Sequence, residues 1–312
     1  YLPIDTPKQS ENFIELVNPK IVFFIKYEFW FNYLRKLHQK NIQFYLISGI
    51  FRPNQLFFKP YGKWFRKHLD YFSHIFVQNK ISYELLNLYG FNNISICGDT
   101  RFDRVIQIAN EKISIPVIEN FIGNNKVFIA GSTWEEDEKI IISLMKEPQF
   151  KLKYIIAPHE VNENNIKRLK SSIPLNTIEF SKVSETDANK YDCLIIDSIG
   201  LLSKIYYYSN ICYVGGGFGK GIHNVLEAAV FGKPVIFGKN YKKFTEAKEL
   251  IEIGGAFTIN NFVDLIQKVN KLINEDNFYN NCCNNSYNYV KSKKGGTEKI
   301  ISFLKNNCLL NS

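Results

Sequence analysis

Short apolar runs that alternate with helix-like stretches constrain the fold of this chain more than any other feature. The runs are rich in β-branched and aromatic residues, and each is about the length of one buried strand. They lie at residues 21–25, 44–47, 74–77, 94–97, 127–130, 154–157, 193–196, 211–214 and 234–237. Helix-like stretches separate most of them, at Ile81–Tyr89, Glu135–Leu144, Asn162–Leu169 and Asn224–Phe231. Continuous apolar strands separated by helices predict an α/β protein with parallel sheets covered on both faces.

These strands are too numerous for one compact sheet, and 312 residues can bury more than one core. The best boundary is the polar stretch Asn110–Asn125, which contains Pro116 and Gly123. We therefore predict a first domain over residues 1–118 and a second over residues 119–296. A loop at residues 292–296 precedes a helix at Thr297–Leu304, and we expect residues 297–312 to pack back on the first domain.

Composition restricts the class of protein only weakly. The chain has 39 Lys and Arg against 30 Asp and Glu, a net charge of +9 that favours anionic partners. Abundant lysine beside asparagine, isoleucine and phenylalanine explains the same number without any partner. Every apolar run is shorter than the roughly 18 residues that span a bilayer, and no signal-peptide pattern is present.

The six cysteines show no CxxC spacing, and two of them, Cys193 and Cys212, lie inside apolar runs. We interpret them as buried thiols in a reducing compartment rather than disulfides or zinc ligands. The sequence predicts no metal site and no cofactor. The remaining cysteines are Cys97, Cys282, Cys283 and Cys308.

The glycine-rich segment 213–229 carries the most chemical information. A strand runs into five glycines, at positions 215, 216, 217, 219 and 221, and a helix is expected from about His223. Glycine lets a backbone approach an anion, and a helix N-terminus favours negative charge. Glu227 is placed to accept hydrogen bonds from a ribose diol. The alternative is a tight strand-to-helix turn with a surface glutamate, since the segment matches neither a P-loop nor GxGxxG.

The same segment resembles the Kdo (3-deoxy-D-manno-octulosonic acid) transferase pattern of Gly-Gly-Ser, then Gly-Gly-His-Asn-x-Leu-Glu, then a Gly-x-Pro-Val strand. Five further segments resemble motifs of that family in the same order. They are Lys26-Tyr-Glu-Phe-Trp30, Gly98-Asp-Thr-Arg-Phe-Asp103, Ala130-Gly-Ser-Thr-Trp-Glu-Glu-Asp-Glu138, Ala157-Pro-His-Glu160 and Asp197-Ser-Ile-Gly-Leu201.

The resemblance implies a GT-B glycosyltransferase with two Rossmann-like domains that face each other across a cleft. It implies transfer of Kdo from CMP-Kdo to a lipid A precursor, with inversion and without a metal. The location would be the cytoplasmic face of the inner membrane of a Gram-negative bacterium. The family places its catalytic base, a glutamate, and its membrane anchor in an N-terminal segment that precedes all of these motifs. We expect that segment to be missing from this chain.

Carried over position by position, the resemblance implies a CMP pocket and two residues that stabilise the transition state. The pocket would comprise Pro158, His159, Ile199, Gly200, Leu201, Asn224, Val225, Leu226 and Glu227. Arg101 would stabilise the negative charge of the leaving CMP. Glu28 would either stabilise the positive charge of the sugar ring or orient a neighbouring residue. Ser132 and Thr133 are expected either to donate hydrogen bonds to the phosphate or to cap the acidic helix that follows.

The chain departs from the family pattern at several of these positions. Arg101 stands where the family has lysine, which keeps the charge but changes its geometry. His159 replaces arginine, so a fixed cation is lost from the predicted pocket. Gly217 replaces serine.

A segment from Phe57 to His68 interleaves aromatic residues with cations. Such a segment suits an anionic membrane surface, with aromatic rings at headgroup depth and cations on phosphates. It equally suits the phosphates of a lipid A precursor or stacking with nucleic acid. An ordinary amphipathic helix with solvated lysines is the alternative.

Three other functions compete with Kdo transfer. One is a different GT-B transferase or epimerase that uses a UDP-sugar, and another is a non-catalytic remnant that keeps nucleotide binding. The third is nucleic-acid binding, which we do not expect because no recognised RNA- or DNA-binding motif is present.

Overall fold

The computed structural model describes residues 2–307 and divides into two compact units. Unit 1 comprises Tyr1–Asp103 with Lys293–Ser312, and unit 2 comprises Arg104–Ser292. Each unit contains one parallel sheet with helices, so the predicted α/β class is confirmed.

The strands, in chain order, are β1 Ile21–Ile25, β2 Gln43–Gly49, β3 His74–Val77, β4 Ile94–Ile96, β5 Lys126–Thr133, β6 Leu152–Pro158, β7 Thr177–Glu179, β8 Cys193–Ile195, β9 Ile211–Val214, β10 Val235–Gly238 and β11 Ala256–Ile259. The helices are α1 Pro7–Val17, α2 Phe31–Gln39, α3 Lys63–Lys67, α4 Lys80–Leu88, α5 Thr100–Ala109, α6 Pro116–Ile122, α7 Glu135–Met145, α8 Glu163–Ser172, α9 Leu202–Ile205, α10 Leu226–Ala229, α11 Thr245–Glu252, α12 Phe262–Asn274, α13 Asp276–Ser292 and α14 Gly296–Asn306.

Unit 1 is built on a four-stranded sheet in the order β1-β2-β3-β4. One face of the sheet buries Leu46, Ile75 and Val77 in an aromatic-rich core. The other face packs against helix α14, whose Ile300 and Leu304 join a buried cluster with strand residues. The last helix of the chain therefore completes the first unit.

Asp103 fixes the start of α14. Its carboxylate accepts hydrogen bonds from the backbone N–H groups of Gly295, at 2.7 Å, and Thr297, at 2.6 Å. A carboxylate that receives N–H groups at a helix start satisfies donors that the helix itself leaves unpaired.

Unit 2 contains a seven-stranded sheet in the order β11-β10-β9-β5-β6-β8-β7, and every neighbouring pair is parallel. β5 lies at the centre, and its residues Val127 to Ala130 are fully buried. Parallel strands direct all their carboxyl ends to one edge, where ligands of such sheets bind. That edge carries most of the residues singled out from the sequence.

Four features of the fold differ from the sequence-based expectations. The polar stretch 110–125 contains helix α6, because Ile118 and Phe121 are buried within unit 2. The unit boundaries fall after Asp103 and Ser292, whereas the sequence suggested boundaries after residues 118 and 296. The helix expected at 224–231 is reduced to Leu226–Ala229. Strands β7 and β11 were not predicted; β7 has only three residues and each strand has two half-buried residues.

Cys193 and Cys212 are fully buried free thiols, as the apolar runs around them predicted. Cys308 lies outside the described residues. Within residues 2–307, no three His, Cys, Asp or Glu side chains form a group suited to a metal ion. Nor does any helix in that range have the length and apolar character needed to cross a bilayer.

Candidate functional site

The glycine-rich turn of unit 2 follows β9 and lies beside the end of β5, its neighbour in the sheet. The Gly215 N–H donates to the Gly131 carbonyl oxygen at 2.9 Å. A Cβ atom on Gly215 would lie 2.2 Å from the backbone oxygen of Ser132. Glycine is therefore required at this position by contact between two backbone segments.

Asp137 organises the start of the turn. Its side chain is buried and accepts three hydrogen bonds: from the Tyr213 hydroxyl at 2.7 Å, the Gly216 N–H at 2.8 Å and the Trp134 N–H at 3.0 Å. These donors come from β9, the turn and the beginning of α7. The carboxylate therefore connects three elements at the carboxyl edge of the sheet.

The backbone amides at the start of the turn do not have the freedom that the sequence suggested. The N–H groups of Gly215 and Gly216 already have acceptors, and His223 donates its N–H to the Gly215 carbonyl at 3.1 Å. Gly219 and Gly221 both donate to the Gly216 carbonyl. Intramolecular acceptors therefore occupy the N–H groups of Gly215, Gly216, Gly219 and Gly221, and phosphate binding by the other amides of the turn stays a prediction.

Three rings form a stack at the same edge. The His159 ring lies 4.6 Å from Trp134 and 4.4 Å from His223 between centroids, and the two imidazoles are nearly parallel. The indole N–H of Trp134 donates to Nε2 of His223 at 3.1 Å. Burial and the neighbouring His159 lower the pKa of His223, which favours the neutral ring whose Nε2 accepts this bond.

Asn224 and Glu227 form a pair at the beginning of α10. The Asn224 side-chain amide donates to the Glu227 carboxylate at 3.0 Å, and its oxygen accepts the N–H of Leu226 at 3.3 Å. Burial raises the pKa of Glu227, and the bond from Asn224 opposes that shift only in part. Glu227 as a whole residue is half-buried. Val225 and Leu226 themselves are fully buried and can offer backbone atoms only.

Ser132 and Thr133 are the last two residues of β5, just before α7. Thr133 is buried, and its hydroxyl donates to Glu138 at 3.2 Å, so that hydroxyl is used within the protein. Neither residue caps α7, because Trp134 is the N-cap residue. Ser132 is half-buried and has a positive φ of 53°. A non-glycine residue in this region stores backbone strain, which is frequent at ligand sites.

The remaining predicted CMP residues follow β6 and β8. Pro158 ends β6 and is buried, whereas the His159 side chain is exposed and its N–H donates to the Thr133 carbonyl at 2.9 Å. In the loop after β8, Ile199 is 90% exposed and Gly200 has a φ of 95°. This loop presents backbone groups to the outside of the carboxyl edge.

Unit 1 has its own cluster of charged residues at the carboxyl ends of its strands. Asp99 follows β4, is 7% exposed, and accepts from Arg101 through Nε at 2.8 Å. Lys26 follows β1 and lies 3.4 Å from the same carboxylate. Burial alone would raise the pKa of Asp99, but Arg101 and Lys26 hold it below its ordinary value. Asp99 thus fixes the Arg101 side chain, whereas Asp103 binds α14 instead.

Glu28 lies in the exposed segment after β1. Its carboxylate accepts a hydrogen bond from the indole N–H of Trp30. Lys26, two residues earlier, has a φ of 60°, which turns the chain sharply at the end of the strand. The structure therefore places Glu28 and Arg101 in the same unit, each next to a residue that orients it.

The segment from Phe57 to His68 folds into short 3-10 turns and helix α3. Phe57, Phe58 and His68 are buried, so much of its aromatic content belongs to the core. The outer surface instead carries Tyr61, which is 71% exposed, and Trp64, which is 57% exposed. Leu56 and the side chains of Lys63 and Lys67 lie on the exposed part of the same segment.

Comparison with known proteins identifies relatives on the basis of sequence. Residues 1–104 match the model of the 3-deoxy-D-manno-octulosonic-acid transferase family. The 3-deoxy-D-manno-octulosonic acid transferase of Haemophilus influenzae is 27% identical, over 98% of this chain and 74% of its own length. That of Rickettsia prowazekii is also 27% identical, over 89% of this chain and 61% of its own length.

The chain is related to the Kdo transferases. This confirms the resemblance seen in the motifs. The chain spans 44% to 61% of the length of four of the curated relatives that it matches, among them a bifunctional glycosyltransferase/methyltransferase of Fusobacterium nucleatum.

Solved structures agree on the fold. The C-terminal CMP-Kdo binding domain of WaaA from Acinetobacter baumannii matches 61% of this chain and 98% of its own length, with a TM-score of 0.50 and 20% identity. UDP-GlcNAc 2-epimerase from Neisseria meningitidis covers 96% of this chain and 80% of its own length, with a TM-score of 0.63 and 18% identity. These neighbours confirm the predicted GT-B class.

Asp137 and the Trp134 ring were not among the residues predicted from sequence. Trp134 is the N-cap residue of α7, and Asp137 lies three residues later in its first turn. A carboxylate at the third position of a helix is a usual acceptor for the N-cap N–H. That pattern was visible in the sequence, but the bonds to Tyr213 and Gly216 depend on the tertiary structure.

Proposed function

We propose that this chain forms the CMP-Kdo site, and part of the acceptor side, of an inverting transferase that adds Kdo to a lipid A precursor in lipopolysaccharide biosynthesis. The observation that carries the proposal is the carboxylate of the half-buried residue Glu227, oriented by Asn224 at the carboxyl edge of the unit 2 sheet. The sequence relationship to Kdo transferases supplies the identity of the sugar.

The nucleotide contacts are proposed as follows. The Glu227 carboxylate accepts hydrogen bonds from the ribose hydroxyls. Its pKa is raised by burial but held down in part by Asn224, so a diol that donates two bonds would favour the ionised form. The exposed loop Ile199–Leu201 and the backbone at Pro158–His159 line the remainder of the CMP pocket.

The phosphate requires donors other than the first amides of the glycine turn. The Ser132 hydroxyl is the one side-chain donor of the predicted pair that is not already used by Glu138. The Trp134–His159–His223 stack lies beside it, and a ring N–H of His159, the residue that replaces the arginine of the family motif, would donate to the phosphate.

Transition-state stabilisation is assigned to unit 1. Arg101 would neutralise negative charge that develops on the departing CMP, and the Asp99 carboxylate holds its guanidinium in one orientation. Glu28 would stabilise positive charge on the sugar ring, with its carboxylate fixed by Trp30. Arg101 and Glu28 are the catalytic residues of this proposal, and Asp99 is a positioning residue.

The acceptor is proposed to reach the protein at the cytoplasmic face of the inner membrane. The exposed rings of Tyr61 and Trp64 suit the headgroup region, where amphipathic rings are stable. Lys63 and Lys67 are the first and last residues of helix α3, which also carries Trp64. Their ammonium groups suit anionic headgroups or lipid A phosphates.

The decisive experiment is incubation of the protein with CMP-Kdo and a lipid A precursor, followed by mass spectrometry of the lipid and measurement of CMP. A lipid product heavier by one Kdo residue, lost in Arg101→Ala, supports the proposal. Titration with CMP and with UDP distinguishes the alternatives. Tighter binding of UDP would indicate a UDP-sugar enzyme, and CMP binding without any product or CMP release from CMP-Kdo would indicate a non-catalytic remnant.

A further inference from the structure

A cavity opens at the carboxyl edge of unit 2, beyond strands β10 and β11. Its volume is about 620 Å³, within the usual range for sites of small molecules. It is formed by the loops that follow β9, β10 and β11, whereas Asn224, Glu227 and Trp134 do not line it. The cavity is therefore distinct from the proposed CMP site.

Four lysines line this cavity: Lys220, Lys239, Lys242 and Lys243. No Asp or Glu lies among its lining residues. Within the described part of the chain, none of the four ammonium groups lies within salt-bridge distance of a carboxylate. Four cations around one space repel one another, and a bound anion removes that repulsion.

Uncharged polar groups in the cavity point to a ligand with hydroxyl groups as well as negative charge. The Thr258 hydroxyl oxygen is buried and has no hydrogen-bond partner among the described residues. A buried hydroxyl without a partner costs free energy that a ligand can recover.

The side-chain amides of Asn240 and Asn260 donate hydrogen bonds within the protein, while their side-chain oxygens accept none from the described residues. The Asn240 side chain donates to the Gly219 carbonyl at 2.8 Å, and its backbone N–H donates to the Gly217 carbonyl at 2.8 Å. Asn260 donates through its side chain to Asp264 at 3.0 Å. Neither side-chain oxygen receives a hydrogen bond from a described residue, so each remains an acceptor for a ligand hydroxyl.

We propose that this cavity is a binding site for a phosphorylated sugar. The lysines would bind the phosphate, while Thr258 and the oxygens of Asn240 and Asn260 would bind sugar hydroxyls. Such a ligand joins a dianion to several hydroxyl groups, which matches both kinds of lining group. The inference does not depend on the identity of the nucleotide in the proposed CMP site.

The test is calorimetric titration of the whole chain with glucosamine 1-phosphate, with glucosamine and inorganic phosphate as comparison ligands. We expect glucosamine 1-phosphate to bind more tightly than either. The double variant Lys242→Ala/Lys243→Ala should weaken that binding roughly tenfold, since each exposed ion pair contributes up to about 1 kcal/mol. Lys242→Arg/Lys243→Arg should keep most of the affinity.

Two further variants separate this site from general surface charge. Lys146→Ala/Lys151→Ala removes the same charge from two exposed lysines elsewhere in unit 2 and should leave the affinity unchanged. Thr258→Val should weaken glucosamine 1-phosphate about threefold but leave inorganic phosphate unaffected, since only the sugar hydroxyl contact is lost.

The proposal is overturned if glucosamine 1-phosphate does not bind, if inorganic phosphate binds equally well, or if both double alanine variants reduce the affinity by the same factor. Binding to phosphatidylglycerol vesicles through Lys242 and Lys243, without binding of glucosamine 1-phosphate, would show a lipid headgroup site and also overturn it. CMP titration of the same variants gives an independent result. Failure of wild-type protein to bind CMP would contradict the proposed function and leave this site unaffected.

Discussion

Removal of the Asp137 carboxylate is the most informative perturbation of unit 2. The Asp137→Ala substitution leaves the Gly216 and Trp134 N–H groups and the Tyr213 hydroxyl without their acceptor, at a side chain that is 1% exposed. Each unsatisfied buried donor costs about 1–3 kcal/mol. We expect the free energy of unfolding of unit 2 to fall by roughly 3–6 kcal/mol for the three donors together.

Two matched variants divide that cost. Asp137→Asn retains one oxygen for the two N–H groups, and its amide can donate to the Tyr213 hydroxyl oxygen, so we expect a loss of about 1–2 kcal/mol. Tyr213→Phe removes one of the three bonds and should cost about 1 kcal/mol. Asp137→Ala should therefore lower the free energy of unfolding much more than Asp137→Asn or Tyr213→Phe.

The assay is urea unfolding followed by tryptophan fluorescence. The chain contains three tryptophans, and replacing Trp30 and Trp64 by phenylalanine leaves Trp134 as a reporter within unit 2. A fall of less than 1 kcal/mol for Asp137→Ala, or equal losses for the alanine and asparagine variants, would refute the argument from buried donors.

Three further predictions follow from single residues. Glu227→Gln should weaken CMP binding about tenfold, equivalent to about 1.4 kcal/mol, with unchanged unfolding, and equal CMP affinity in a titration would contradict its ribose role. Burial lowers the pKa of His74 to about 4, so below the unfolded value near 6.5 the unfolded chain binds the proton first. Unit 1 should then lose up to about 3 kcal/mol between pH 6.5 and 4, and His74→Gln should show a smaller pH slope in urea unfolding. Gly215→Ala should sharply destabilise unit 2, because its Cβ would lie 2.2 Å from the Ser132 backbone oxygen. Gly219→Ala is the control, since the nearest atom to its Cβ is 3.8 Å away. Similar melting temperatures for Gly215→Ala and Gly219→Ala would disprove the steric argument.

Much of the strand pattern was readable from sequence because buried parallel strands are continuous apolar runs. The runs at 21–25, 74–77 and 211–214 coincide with β1, β3 and β9. Helices such as α12 were not proposed, although its apolar residues lie on one face and its N-cap is Asn261. Short elements with half-buried residues, such as β7, lack the continuous apolar signal that identified the others.

The candidate site was predictable in position but not in its hydrogen bonds. The parallel topology placed the loops after β6, β8 and β9 at one edge, as the strand pattern implied. Whether a glycine N–H is available for a ligand depends on which acceptors the fold brings near it. Gly216 donates to Asp137, a residue 79 positions away in sequence, and no local pattern reports that contact. Motif spacing therefore located the turn without determining what its amides bind.

The connection between Asp103 and the start of α14 has a consequence for biosynthesis. The strands of unit 1 leave the ribosome before unit 2, yet Ile300 and Leu304, which pack against Tyr45 and Phe76, are made after it. Residues 104–292 are synthesised in between. During that time, the face of the unit 1 sheet that α14 later covers stays exposed to solvent. Unit 1 is thereby begun before unit 2 and completed after it, and a stop codon a few residues before α14 would leave exposed the face of its sheet that α14 covers.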